Sequence, residues 1–403
     1  MAALRNVKRR IAALIATTTT AALAAAVGAA LPARAAAPEG RILHAGAAEA
    51  VPGSYIVTLK RSAGFKASGS DGKKLIAGYG GRIERTYSSA LNGYAAALSG
   101  TEAKRLAADP AVASVEQDQK VHATATQGNA PWGLDRIDQA NLPLSGTYTY
   151  PDPAGGGTTV YVLDTGVRIT HQEISGRASY GYDFVDNDTT AQDGYGHGTH
   201  VATTVAGSTY GVAKKAKIVA VRVLGNDGSG TTAGVIAGVD WITAHHVASS
   251  VANVSLGGGA STTLDNAVSK SIASGVTYSV AAGNSGALAS GYSPARVATA
   301  ITVGATTRTD ARASYSNYGS AVDIFAPGSG ITAGWNSSDS ATYTGDGTSF
   351  AAPHVSGAAA VYLTNHPGAS PAAVASALVN GATSGVLTGV GSGSPNKLLK
   401  LVP

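Results

Sequence analysis

Apolar residues in this chain gather in short, almost uninterrupted runs. Val160–Leu163, Ile218–Leu224, Val251–Leu256, Val276–Ala281, Ala300–Val303 and Val322–Phe325 are the clearest, and most are rich in β-branched residues. Continuous rather than alternating hydrophobicity predicts strands covered on both faces. Between the runs lie stretches with helical character: His200–Ala206, Ala233–His246, Leu264–Ser274 and Phe350–Thr364. Strands and helices in alternation predict an α/β fold, a mostly parallel sheet flanked by helices with right-handed crossovers. In such sheets ligands sit beyond the carboxyl ends of the strands. Chemistry is therefore expected just after the apolar runs.

The N-terminal third has a different pattern. Ser54–Leu59, Tyr94–Leu98 and Val112–Val121 read as strands, and Thr101–Leu106 opens a helix with Thr101 as its expected N-cap. Residues 52–122 thus form a small α+β domain, preceded by an Ala/Gly-rich linker at 36–51 and followed by a polar joint at 123–130. Further upstream, Arg5, Lys8, Arg9 and Arg10 precede the uncharged stretch Ile11–Leu31, and Ala33-Arg34-Ala35 is a small-x-small cleavage site. Residues 1–35 are therefore read as a signal peptide and the protein as secreted. The Thr17–Thr20 run and Pro32 argue against a membrane anchor. No later stretch approaches the ~20 apolar residues that span a bilayer.

Composition narrows the chemistry. Of 403 residues 44% are hydrophobic, enough for a large core, and 13% are charged. There is no Cys, which excludes disulfides, thiolate metal sites and a Cys nucleophile, and the one Met is Met1. The formal charge of +5 is misleading, because residues 1–122 carry 16 Lys+Arg against 8 Asp+Glu (+8) and residues 123–403 carry 13 against 16 (−3). Without its first part the protein is mildly acidic, so its charge gives no reason to expect a nucleic-acid partner.

Three reactive side chains stand where the sheet argument places them. Asp164 follows Val160–Leu163 within Leu163-Asp164-Thr165-Gly166. His197 lies in Asp193-Gly194-Tyr195-Gly196-His197-Gly198-Thr199-His200, where a Gly-rich loop enters a helix. Ser349 lies in Gly347-Thr348-Ser349-Phe350-Ala351-Ala352-Pro353, another loop-to-helix junction, with Pro353 read as a first-turn proline. A Ser hydroxyl becomes a nucleophile when a His takes its proton, and a buried carboxylate fixes the His tautomer and stabilises its cation. The run Val280-Ala281-Ala282-Gly283-Asn284 ends in an amide that can donate to an oxyanion, opposite the Ser349 N–H. Singly, each of these residues is an ordinary turn, cap or structural residue; their conjunction carries the reading. His197 and His200 lack a His-Glu-x-x-His context, and zinc is not expected.

These motifs, with Pro131–Ile137 and Tyr315-Ser316-Asn317-Tyr318-Gly319, resemble the subtilisin-like serine proteases, specifically the proteinase K branch, over roughly residues 131–398. Residues 52–122 resemble the family's inhibitor-type propeptide, leaving a peptidase domain at 123–403. The resemblance implies a secreted endopeptidase made as a zymogen that cleaves itself, its propeptide acting as an intramolecular inhibitor whose stretch near Gln119–Thr124 lies along the substrate strands. Protein and peptide substrates would bind against Gly228-Ser229-Gly230 and Ser255-Leu256-Gly257-Gly258, with Ala281, Ala282 and Gly283 walling an apolar first pocket. Broad cleavage after apolar or aromatic residues follows. The resemblance also implies a structural Ca²⁺ held by the carbonyls of Ala298 and Ala300 and by Asp323, oxygen ligands of the kind this ion takes. A monomer is expected, with no nucleic acid and, after processing, no membrane.

The chain departs from the family pattern at three places. Phe350 stands where many members carry Met, Val201 where some relatives carry Cys, and Thr203 where Gly is common. Two other readings remain in play: a catalytically silent binding protein on the same fold, and an esterase or lipase. The context Gly347-Thr348-Ser349-Phe350-Ala351 is not the Gly-x-Ser-x-Gly of the latter.

Overall fold

The computed structural model describes residues 37–47, 49–121 and 124–402; the signal-peptide stretch lies outside them. The chain forms two compact units, one centred on Val57–Val115 and a larger one centred on Glu116–Pro403.

In the smaller unit the strands Arg82–Tyr87 and Gly93–Ala97 pair antiparallel, and the helices Ser70–Gly78 and Gly100–Ala107 bury Ile76, Ala103 and Leu106. The second helix starts earlier than its sequence suggested. Its N-cap is Ser99, not Thr101: Ser99 Oγ accepts the Glu102 N–H at 3.3 Å, and Glu102 Oε2 accepts the Ser99 N–H at 2.6 Å. This reciprocal capping box satisfies two otherwise orphaned donors, which a cap at Thr101 could not do.

The larger unit is built on a nine-stranded sheet. Its strands in chain order are β1 (Thr159–Asp164), β2 (Ala178–Asp183), β3 (Lys217–Arg222), β4 (Ser250–Val254), β5 (Thr277–Ala281), β6 (Ile301–Thr306), β7 (Ile324–Pro327), β8 (Thr383–Ser384) and β9 (Lys397–Leu398). They lie in the order β8-β9-β7-β6-β5-β4-β1-β3-β2, and every pair but β8–β9 is parallel. Five helices matter below: α1 (His197–Ala206), α2 (Thr232–His245), α3 (Thr262–Ala273), α4 (Thr348–Asn365) and α5 (Pro371–Gly381).

Strand pleating explains why the runs read as continuously apolar. Along β1, Val160 and Val162 join a core that includes α1, α4 and α5, while Tyr161 and Leu163 join a second core with α2 and α3. Successive side chains point to opposite faces, and both faces are covered. The strand order reverses at β1, which lies between β3 and β4. Reversal points leave a crevice at the carboxyl ends of the strands, and Asp164 is the last residue of β1.

Two local expectations need correcting. Within the polar joint at 123–130, Thr124–Gly128 is a strand paired antiparallel with Thr147–Pro151. Its side chains alternate between exposed and partly buried, a half-solvated pattern without the apolar run used to find strands. Pro353 is the sixth residue of α4, not a first-turn residue. Proline cannot donate to the carbonyl four residues back. That carbonyl, Ser349 O, instead accepts Ser255 Oγ–H at 2.7 Å.

Candidate active site

Asp164 and His197 meet at the head of the crevice. Asp164 is fully buried, and its Oδ1 lies 2.7 Å from His197 Nδ1 and accepts the Thr165 N–H at 2.7 Å. The imidazole Nδ1–H therefore points at the carboxylate, which leaves Nε2 as the reactive nitrogen. Burial pulls the His197 pKa down. The Asp164 charge, the Asp164 hydrogen bond and the Asp193 charge act the other way, and the net result is a pKa above the ordinary histidine value.

The backbone in front of His197 is held by Asp193. Asp193 Oδ1 accepts Thr165 Oγ1–H (2.9 Å) and the N–H groups of Tyr195 (3.0 Å) and Gly196 (2.7 Å). Its Oδ2 accepts the N–H and Oγ1–H of Thr199 at 2.9 and 2.6 Å. Gly196, the N-cap of α1, has φ +120°, and a Cβ there would come within 2.2 Å of the Trp335 ring. Only glycine meets both demands. One turn on, His200 has the opposite environment. It packs on Phe350 with ring centroids 4.1 Å apart, its Nε2 faces Ile331 O at 3.0 Å, and burial pushes its pKa down to about 3. His200 is a neutral core residue and not a base.

Ser349 is the second residue of α4, at an end that presents free N–H groups. Asn284 is aimed by Thr348: Asn284 Oδ1 accepts both the N–H and the Oγ1–H of Thr348 at 2.8 Å, and Thr348 Oγ1 accepts the Gly283 N–H at 3.1 Å. With its oxygen so engaged, the Asn284 amide has its Nδ2 left to donate. A cleft of about 650 Å³ is lined by His197, Asn284 and Ser349, and also by all ten residues named above for substrate. Ser255 lines it with its hydroxyl committed to Ser349 O and to Asn253 Nδ2 (2.8 Å), so it supports the turn that carries Ser349. Leu224, Val235, Leu264, Tyr292 and Ala295 widen the apolar part of the wall.

Sequence reasoning missed the positioning roles of Asp193, Thr348 and Thr165. All three stood inside the motifs already quoted; polar residues flanking a Gly-rich loop were the available signal. Thr203 also gains an explanation. It is fully buried, donates to Thr199 O at 2.9 Å and accepts the Gly334 N–H at 2.9 Å, tying α1 to the Ile331–Gly334 strand.

A second, separate cavity of about 400 Å³ is lined by Ala298, Ala300 and Asp323. Asp323 Oδ2 accepts the Thr302 N–H at 2.8 Å, and burial pushes its pKa up to about 6. Among the described residues no cluster of three or more His, Cys, Asp or Glu side chains forms a metal site. A desolvated carboxylate in a cavity also lined by Ala298 and Ala300 nevertheless supplies the oxygen chemistry that a hard cation takes.

A family model for the subtilases, Peptidase S8, matches residues 155–396, and one for the peptidase inhibitor I9 matches residues 54–124. This chain belongs to the subtilase family. It is 50% identical over 379 residues to an extracellular serine proteinase of Thermus sp. (strain Rt41A), covering 90% of this chain and 92% of that one. It is 42% identical over 383 residues to a cuticle-degrading serine protease of Arthrobotrys oligospora, covering 90% and 93%. A crystal structure of a cold-adapted subtilisin-like serine proteinase superposes with a TM-score of 0.67 at 52% identity, covering 68% of this chain and all of the other. This subtilase is accordingly a secreted serine endopeptidase with the subtilisin-like fold, made with an inhibitor-type propeptide.

Proposed function

We propose that this subtilase cleaves peptide bonds through Ser349, His197 and Asp164. The observation that carries the reading is the 2.7 Å Asp164–His197 contact at the head of a cleft that also presents Ser349 and Asn284. Ser349 Oγ attacks the scissile carbonyl as His197 Nε2 takes its proton. Asn284 Nδ2 and the Ser349 N–H receive the developing oxyanion. His197 then returns the proton to the leaving amine, and water repeats the cycle on the acyl-enzyme. Asp164 holds the tautomer and stabilises the imidazolium throughout.

The residues lining the cleft include no Asp, Glu, Lys or Arg. This supports cleavage after apolar or aromatic residues, because a charged side chain entering such a pocket would lose its water without gaining a partner. The glycines at 228, 230, 257 and 258 permit close approach of an extended substrate backbone. In the division we propose, 1–35 is a signal peptide, 36–51 a linker, 52–122 the propeptide and 123–403 the peptidase, which acts as a monomer. The enzyme's first substrate is its own chain near Gln119–Thr124.

The carbonyls of Ala298 and Ala300 with Asp323 are the residues that would hold a calcium ion. When bound, the ion supplies charge neutralisation and a cross-link between the segments that precede β6 and β7. It has no part in the bond-breaking steps.

The deciding experiment is Ser349→Ala in the purified precursor. The variant is expected to stay unprocessed, to leave casein intact and to resist labelling by a fluorophosphonate that modifies the wild type. Maturation of that variant by itself would refute autoprocessing. Absence of wild-type labelling would favour a silent binding protein.

A further inference from the structure

A third cavity, of about 290 Å³, shares no residue with the catalytic cleft. Its wall includes Leu134, Ile331 and the side chains of Trp132 and Tyr210, with Gly133 and His354 beside them. His354 is 2% exposed and lies on α4, five residues after Ser349. Its Nδ1 is 2.8 Å from Phe350 O, a carbonyl that can only accept, so Nδ1 carries the proton. Burial pushes the His354 pKa down to about 4, which keeps the ring neutral and leaves a lone pair on Nε2. Among the described residues Nε2 has no hydrogen-bond partner. It faces Gly133, where a Cβ would come within 2.7 Å of it. Glycine at 133 therefore leaves the nitrogen uncovered at the cavity wall.

A buried acceptor without a donor is costly. A water in this place would need two or more polar partners. Two polar groups of the wall are committed elsewhere: Trp132 Nε1 donates to Gly330 O at 3.1 Å, and Thr332 Oγ1 lies 2.8 Å from Thr344 Oγ1. An apolar wall with one open acceptor matches an apolar ring carrying one donor. The volume is at the small end of ligand pockets, about 300–1,000 Å³, so it suits a single ring and not a peptide. We propose that this cavity is a binding site for a small phenol-like molecule, whose ring packs against the apolar wall and whose hydroxyl donates to His354 Nε2. The proposal is independent of the catalytic reading.

The test uses the mature enzyme with its active site blocked by a fluorophosphonate. Binding of 4-fluorophenol and of 4-fluoroanisole, which lacks the O–H, is followed by fluorine NMR. The wild type is expected to bind the phenol saturably and the anisole at least about tenfold more weakly, since a site built to receive a donor rejects the analogue without one. His354→Phe keeps a ring but no acceptor and should abolish that preference. Thr209 is exposed and lines the cavity, so Thr209→Trp should fill it at little cost to folding and remove binding of both probes. That variant decides the matter if His354→Phe does not fold. Equal affinity of the wild type for the two probes, no saturable phenol binding, or phenol binding that survives Thr209→Trp would each overturn the proposal.

Discussion

The two ends of the central sheet each carry a desolvated carboxylate, and the two are treated differently. At the carboxyl end, Asp164 is fully buried beside an imidazole and a backbone N–H, with Asp193 behind them organising a loop through five donors. At the amino end, Asp323 has one N–H from Thr302, and burial raises its pKa to about 6. The same residue type takes the proposed catalytic role where the protein surrounds it with its own donors. Where it has a single donor, in a cavity also lined by Ala298 and Ala300, it is left free for the cation proposed above. A carboxylate's role is therefore set by the groups around it more than by its depth.

The comparison is broken most sharply by changing Asp164. Asp164→Asn keeps the shape but reverses the donor pattern at Nδ1, and kcat is expected to fall by about 10⁴-fold. Because His197 must be neutral to act as a base and Asp164 helps hold its pKa above the ordinary value, wild-type activity is expected to fall as pH drops through a point above 6.5. In Asp164→Asn that acid limb should move to lower pH, because the favourable charge is gone. A limb that stayed in place would separate His197 from Asp164. Next in size, Asn284→Ala should lower kcat by about 10²–10³-fold with little change in KM, as loss of one oxyanion donor does. An effect confined to KM would assign Asn284 to substrate binding.

At the other end the expected effects are on stability. Chelation of calcium should lower Tm while leaving turnover at 25 °C close to unchanged, and Asp323→Ala should abolish that dependence on calcium. Retention of a calcium-dependent Tm in the variant would place the ion elsewhere. The smallest effect expected is from oxidation. The chain has no Cys and no Met beyond Met1, and Phe350 follows the nucleophile, so dilute peroxide should leave activity largely intact. Rapid loss would point to another oxidation-sensitive group.

Much of the carboxyl end was legible in the chain, because strands buried on both faces write themselves as apolar runs and the reactive residues fall just beyond them. The edges were less so. β2 is Ala178-Ser179-Tyr180-Gly181-Tyr182-Asp183, an edge strand that is mostly only partly buried and has no continuous apolar signal. α5 escaped notice although Ser370 and Pro371 mark its start with an N-cap and a first-turn proline. Of the proposed site, the chain offered the candidate reacting groups but not their supports. That Thr348 aims Asn284, that Ser255 covers the carbonyl left open by Pro353, and that Tyr195 faces the cleft are facts of tertiary proximity, between residues up to 94 positions apart.

The central claim is that a carboxylate, an imidazole and a hydroxyl work as one unit in this cleft. It is tested most directly by the rate of fluorophosphonate labelling as a function of pH, with the modified peptide identified by mass spectrometry. The account predicts a single label on Ser349, appearing with one ionisation above pH 6.5 that Asp164→Asn lowers. Labelling at another residue, or full proteolysis with Ser349 unmodified, would contradict it.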